Sequence, residues 1–395
     1  MGYNTVAREK RVITHTPEAI DEWARELRTR FDNMPVALIV ELAKGPVVNA
    51  LRKYDFIVLF PINPASLAKY REVFTNSGAK DDPTDAELAL DFLLKNPERL
   101  HPLMPQSATM RTLEQLVESR RKFVNDQTRM TNRITSALKN HYPQPLQWFP
   151  NTNTTLFCDF LSRWPDVKSL RNARRSTLER FLREHNVRGQ ERISARIELM
   201  KAATPLTEDP GVVEPAKLLV SSLVEQLRAT ISIIAEYDQR IASLAPTHPD
   251  FAVFQSFPGA GPTFAPRLLA AFGEQRERYA DAGELQRYCG VAPVTERSGN
   301  STWIHWRWQC PKFLRQTFVE WAALTIPHST WARAFYVSQK QRGKSHRAIL
   351  RALAFKWIRI LFRCWTTGHH YDETAHIKSL QKRRSPVLNF IAASE

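Results

Sequence analysis

The sequence predicts a multidomain protein of the α/β plus α class, in which a small α/β domain precedes a long helical middle and a mostly helical carboxy-terminal domain. Three observations predict it. Two continuous apolar runs rich in β-branched residues, Val36–Val40 and Phe56–Phe60, flank a helical stretch near the amino terminus, the pattern of a buried parallel pair. Two long stretches, Thr109–Asn140 and Pro215–Ala245, carry apolar residues at helical spacing and no strand signal. Residues 297–363 hold 13 basic side chains against one acid, Glu320, together with six of the ten tryptophans.

At 395 residues the chain has room for two or three domains of roughly 100–200 residues each. A hydrophobic content of 43% and a charged content of 24% exclude wholesale disorder. Cys158, Cys289, Cys310 and Cys364 are too few and too scattered for a disulfide framework or a zinc ribbon. No apolar run is read as approaching the roughly 20 residues of a membrane span, and the start lacks the apolar core of a signal peptide. With a net charge of +16, a soluble cytoplasmic protein with a polyanionic partner is expected, and no membrane association.

The elements follow in order. Thr16 caps and Pro17 opens an amphipathic helix through Trp23 and Leu27. The first strand ends at Glu41; a helix between Gly45 and Tyr54 leads to the second, which Pro61 and Pro64 stop. An acidic segment from Lys80 to Glu87 opens a further helix through Leu94. This α/β domain spans residues 1–105. The two long helical stripes dominate 106–248 and are expected to pair as an antiparallel coiled coil around a smaller helical unit, about 141–210, marked by recurrent prolines. The last domain spans 249–370, followed by a tail, 371–395, of which the last dozen residues, after Lys382-Arg383-Arg384, read as loose.

Three constellations carry chemistry. Glu41 stands at a strand end, while Asp82 and Asp85 stand three apart at a helix start, on one helix face. Converging carboxylates suit a divalent cation such as Mg²⁺ and metal-assisted phosphoryl transfer; acids at a helix start also suit the helix dipole, and spacing alone leaves both readings open. Next, Pro258-Gly259-Ala260-Gly261 enters a helix from Thr263 to Phe272. Such a turn offers free N–H groups to DNA phosphates, or serves a tight helix corner, with both roles open to Gly259 and Gly261. Last, Ser298-Gly299 lies beside Arg297 and upstream of Arg307, Lys312 and Arg315. Ser298 can be read as a nucleophile for a phosphodiester with these cations around it, or as an ordinary turn. His305, His346, His369 and His370 show no metal spacing.

Taken in order, these motifs resemble the DEDD transposase family of bacterial insertion sequences, the RNA-guided recombinases. The matching residues are Glu41 followed by Gly45, Asn63-Pro64, Lys80-x-Asp82-x-x-Asp85-Ala86, Pro258-Gly259-Ala260-Gly261, and Gly290-x-x-Pro293 leading to Ser298-Gly299. The resemblance implies a RuvC-like, RNase H type amino-terminal domain with a mixed sheet and four metal-binding acids, of which Glu41, Asp82 and Asp85 would be three. It implies a carboxy-terminal transposase domain in which Ser298 attacks DNA and forms a covalent phosphoserine, with Mg²⁺ as cofactor. The implied partners are double-stranded DNA, from element ends and target, and a structured guide RNA, with assembly as homodimers or homotetramers in a nucleoid-associated setting. One departure stands out: the family's first acid lies on an initial Gly-Ile-Asp strand, nothing between Met1 and Trp23 matches it, and Asp21 and Asp55 are the nearby aspartates. The chain is therefore expected to lack that strand. This leaves two alternatives, a truncated, catalytically inactive relic that binds nucleic acid and a RuvC-like nuclease using carboxylates alone.

Overall fold

The computed structural model describes residues 11–74, 82–104 and 106–391, without the side chains of Ala65, Asp82 and Pro83. It divides into two compact units, Met1–Pro105 and Gln106–Glu395.

In the first unit α1 (Pro17–Arg30) begins where the Thr16 hydroxyl accepts from the Ala19 N–H. It leads through β1 (Val36–Val40), α2 (Pro46–Leu51), β2 (Ile57–Pro61) and α3 (Pro64–Glu72) to α4 (Asp82–Lys95). The strands pair in parallel, with Val36 opposite Ile57 and Val40 opposite Pro61. Alternation sends Val36, Leu38 and Val40 toward the core of α1 and α2, and Ile39 toward Leu67 and Ala89 of α3 and α4. Helices on both faces are why both strands read as unbroken apolar runs. Among the described residues the sheet has these two strands, fewer than the mixed sheet the resemblance implies. β1 is correspondingly half-buried, where the sequence predicts a buried strand.

The expected loss of a first strand falls on the amino terminus, of which residues 1–10 lie outside the described residues, as do Lys80 and Asp81 of the acidic segment. Asp21 sits on α1, where the Tyr54 hydroxyl, Lys53 and Arg25 all donate to its carboxylate. These donors, Tyr54 foremost, hold it well below the usual carboxylate range. Asp55 pairs with Arg28 at 2.6 Å. Both aspartates are engaged in surface pairing.

The second unit starts with α5 (Ala108–His141), capped by Ser107. Five shorter helices follow, α6 (Pro145–Trp148), α7 (Thr155–Arg163), α8 (Val167–Asn172), α9 (Arg175–Glu184) and α10 (Gln190–Lys201), before α11 (Pro210–Leu244). α5 and α11 run antiparallel: Arg120 pairs with Asp238, Phe123 lies 5.5 Å from Tyr237, and Met130 accepts from Thr230. The short helices close over the far end of this pair, burying Trp148, Phe157, Phe160 and Phe181 with Leu138 and Leu227. Flanked by α5 and by this insert, α11 needs a broad apolar surface. Its most apolar stretch reaches a mean hydropathy of 1.5, so by length and composition Pro210–Thr247 could cross a membrane, which corrects the expectation that no such run exists. Its Val220, Leu223, Val224 and Leu227 are core residues.

At the near end, Met110, Leu113, Val117 and Ile241 join the core of the carboxy-terminal part, so packing continues across the expected boundary at residue 248. That part comprises α12 (Phe251–Gln255), α13 (Gly261–Phe272), α14 (Ala282–Tyr288), β3 (Val294–Ser298), β4 (Ser301–His305), α15 (Lys312–Thr325), α16 (Thr330–Gln341), α17 (His346–Thr367) and α18 (Glu373–Lys382). Trp321, Trp331, Trp357 and Trp365 are buried at its centre. Glu320 accepts from Arg121 of α5 at 2.8 Å and from the buried Arg267 of α13 at 3.1 Å, tying three helices together. The tail is tied to the domain, and Val387 corrects the expectation that its last dozen residues are loose. Tyr371 stacks on Phe257 at 5.0 Å and accepts from the Trp331 indole, while Leu380 of α18 and Val387 pack against the core.

Candidate functional site

The first candidate region lies at the carboxyl end of β1. A cavity of about 540 Å³ runs along this strand and is lined by Glu41 at its end and by Asp85 of α4. Two of the three predicted acids thus meet at one cavity. Glu41 is exposed, whereas Asp85 is 5% exposed and its Oδ1 forms an ion pair with Arg71 of α3, a partner the sequence reading missed. Asp82 opens α4, and its side chain lies outside the described atoms. Hard carboxylate oxygens on one cavity fit a divalent cation as part of a ligand set. Among the described residues, however, no three His, Cys, Asp or Glu side chains gather into a complete one.

The second region is the turn from Pro258 to Gly261. Gly259 has φ +67°, and a Cβ there would stand 2.7 Å from the Leu324 carbonyl oxygen of α15. Trp321 donates to the Pro258 carbonyl at 3.1 Å. Of the two roles left open, Gly259 therefore fills the tight helix corner. Gly261, with φ +49° and open space around it, begins α13 on an exposed surface.

The third region is a β-hairpin the sequence reading did not foresee. β3 and β4 pair antiparallel around Gly299-Asn300, with Ser298 opposite Ser301. The φ of +55° at Gly299 is the left-handed backbone that tight hairpin turns demand. Cross-strand pairing puts Ser298, Glu296, Trp303 and His305 on one face, and Arg297, Thr302 and Ile304 on the other. Arg297 therefore points away from the face that carries Ser298. On that face His305 Nε2 lies 2.7 Å from Glu296 Oε1 and the Trp303 and His305 rings stand 4.5 Å apart. Trp303 is 64% exposed and Trp308, beyond the hairpin, 77%, in contrast to the core tryptophans.

At the hairpin base Arg307, Arg351, Lys356 and Arg359 line a cavity of about 400 Å³. Arg351 of α17 lies over the Trp306 ring, 3.2 Å from its centroid. Arg315 of α15 approaches the same ring at 5.5 Å and donates to the Arg307 carbonyl, while Lys312 is exposed at the start of that helix. Desolvation, then Arg315, pulls the Arg351 guanidinium down; desolvation, then Arg359, does so for the Lys356 ammonium. Arg351, Lys356 and Arg359 were missed because they lie some fifty residues beyond Arg307 in the chain. Their one-face spacing on a helix was the available signal. The cysteines are free, and burial pushes the Cys158 thiol up to about 11 and the Cys289 thiol up to about 12, far from a reactive thiolate.

A DEDD transposase family profile of the IS110 type matches residues 4–143, and a second, described as transposase IS116/IS110/IS902 family, matches residues 252–337. The chain is 27% identical over 369 residues to the Streptomyces coelicolor mini-circle protein named as a transposase for IS117, covering 91% of this chain and 86% of that one. It is 27% identical over 300 residues to the 43.6 kDa protein of insertion element IS110 from the same organism, covering 74% and 72%. It is 26% identical over 284 residues to the 44.8 kDa protein of IS116 from Streptomyces clavuligerus, covering 72% and 70%. The chain belongs to the IS110/IS116 family of insertion-sequence transposases.

Proposed function

We propose that the chain cuts and rejoins double-stranded DNA through Ser298. The Ser298 Oγ attacks a backbone phosphorus, forming an Oγ–P bond as the P–O bond to one DNA hydroxyl breaks. The serine proton passes to solvent and the departing oxygen takes one up. Attack by a hydroxyl of the exchanged strand on the phosphoserine reverses the step and restores the serine. What carries this reading is the position of Ser298 at the exposed tip of a hairpin rooted beside four clustered cations. Cations at that root draw the DNA backbone in and offset charge developing on the phosphate.

Glu41, Asp82 and Asp85 would hold Mg²⁺ in a RuvC-like domain, and the cation would polarise a phosphate oxygen. The shared cavity of Glu41 and Asp85 supports this assignment. Guidance by a structured RNA is consistent with a basic surface that reads shape and charge while pairing reads sequence. Assembly as a homodimer or homotetramer, through a coiled coil that includes α5 and α11, is supported by Leu218 and Leu219 exposed on α11.

The test is Ser298→Ala in a reaction that scores both strand joining and covalent protein–DNA adducts. Joining and adduct should vanish while DNA binding persists. An adduct that survives removes Ser298 from the chemistry. Metal-dependent nicking that survives in Ser298→Ala and is lost in Glu41→Gln would instead favour the nuclease working through carboxylates alone.

A further inference from the structure

The cavity between the hairpin base and α17 combines two surfaces that seldom serve one simple ligand. Its walls include Val291, Ala292, Ala348 and Phe355, which are apolar. Its cations are Arg307, Arg351, Lys356 and Arg359, and among the described residues no carboxylate pairs with any of them. The Arg307 Nε is buried without a hydrogen-bond partner. With Trp306 beneath Arg351 and its Nε donating to the Arg347 carbonyl at 3.4 Å, the terminal N–H groups of that guanidinium are left for a ligand. The cations call for a phosphate, bound bidentately where a guanidinium presents its fork.

A free phosphate would answer the cations and leave the apolar walls in water. A paired duplex is too wide for a cavity of about 400 Å³, which lies toward the small end of the range for single ligands. One unpaired nucleotide satisfies both surfaces, its base against Val291 and Phe355 and its phosphate on the guanidinium groups. We propose that this cavity takes a single unpaired nucleotide from a DNA or RNA strand, displaced from its duplex while the flanking duplex lies outside. The inference rests on the reading that the chain acts on nucleic acid, and it needs no bond to be cut and no role for Ser298.

The test compares affinities for four probes: a fully paired DNA duplex, the same duplex with one bulged thymidine, the same bulge made abasic, and an RNA duplex with one bulged uridine. The abasic bulge keeps the bend and the phosphate and removes only the base. The bulged thymidine or uridine should bind roughly tenfold more tightly than the paired and abasic duplexes. Whichever bulge gains more identifies the strand type. Ala348→Phe, which fills the cavity, should abolish the gain. Equal binding of paired, abasic and bulged probes by the wild-type chain overturns the proposal without any variant, and so does a gain that survives Ala348→Phe. If no duplex binds at all, the nucleic-acid reading falls with it; if duplexes bind without distinction, only the unpaired-nucleotide site falls.

Discussion

In the cavity along β1 the buried acid Asp85 faces the Arg71 guanidinium, so its charge is answered by the fold itself. In the cavity beside the hairpin four cations share a space and, among the described residues, no carboxylate answers them. The first arrangement contributes to folding, because each partner makes burial of the other tolerable. The second works against folding, since like charges repel, and the same repulsion becomes attraction for any polyanion that enters. Both regions lie in one chain, and the difference separates an acid whose charge the fold already answers, whatever else the Glu41–Asp85 cavity holds, from cations whose charge is left for a partner.

The largest expected effect breaks the first arrangement. Arg71→Ala strands a buried carboxylate and should lower stability by about 3 kcal/mol, read as a lower urea midpoint with faster hydrogen exchange of the β1 and β2 amides. An unchanged midpoint would mean that water or another cation answers Asp85 as well as Arg71 does. The second variant sharpens the contrast. Arg351→Gln should change stability by no more than about 1 kcal/mol, because among the described residues that charge meets the Trp306 ring and no carboxylate. Its mark should instead be weaker DNA binding, with the slope of log affinity against log salt reduced by about 1. A loss of stability as large as that of Arg71→Ala would erase the distinction.

The smallest effect concerns Asp21, whose charge is answered at the surface. Its donors, Tyr54 foremost, favour the ionised carboxylate in the folded state, so its stabilisation is present above the ordinary aspartate value of about 3.9 and is lost as pH falls below it. Asp21→Asn should therefore melt slightly below the wild type at pH 6, and the gap should close toward pH 2. A gap that persists in acid would assign the effect to hydrogen-bond geometry rather than charge.

Legibility in the sequence follows the range of the interactions. The strand from Val36 to Val40, the long helices and the meeting of Glu41 with Asp85 were readable, because periodicity and a fixed spacing record them locally. The Arg71–Asp85 pair was not, since any of several nearby cations fits the same sequence pattern. Gly259 was undecided until the Leu324 carbonyl supplied the neighbour that fixes its role. The hairpin had a weak local signal, Thr302 and Ile304 beyond the Gly299-Asn300 turn, but Glu296-Arg297-Ser298 before it shows no β-branched alternation, so only the pairing of the two strands reveals it. The 13 basic residues of 297–363 could not be ranked, because only the fold of α17 against the hairpin base sorts those that line a cavity from those in open solvent.

One further consequence belongs to the hairpin's mounting. At its root a side chain on Gly290 would overlap Cys310, so the chain before β3 and the chain after β4 are clamped together, whereas residues 296–304 are exposed throughout. Mechanically this is a cantilever, with a fixed root and a tip roughly 15 Å away at the rise of an extended strand. A few degrees of rotation at the root sweep Ser298 through an ångström or more. The same lever runs in reverse: a load on the tip is delivered as torque to the junction with α15, where Arg315 holds the Arg307 carbonyl.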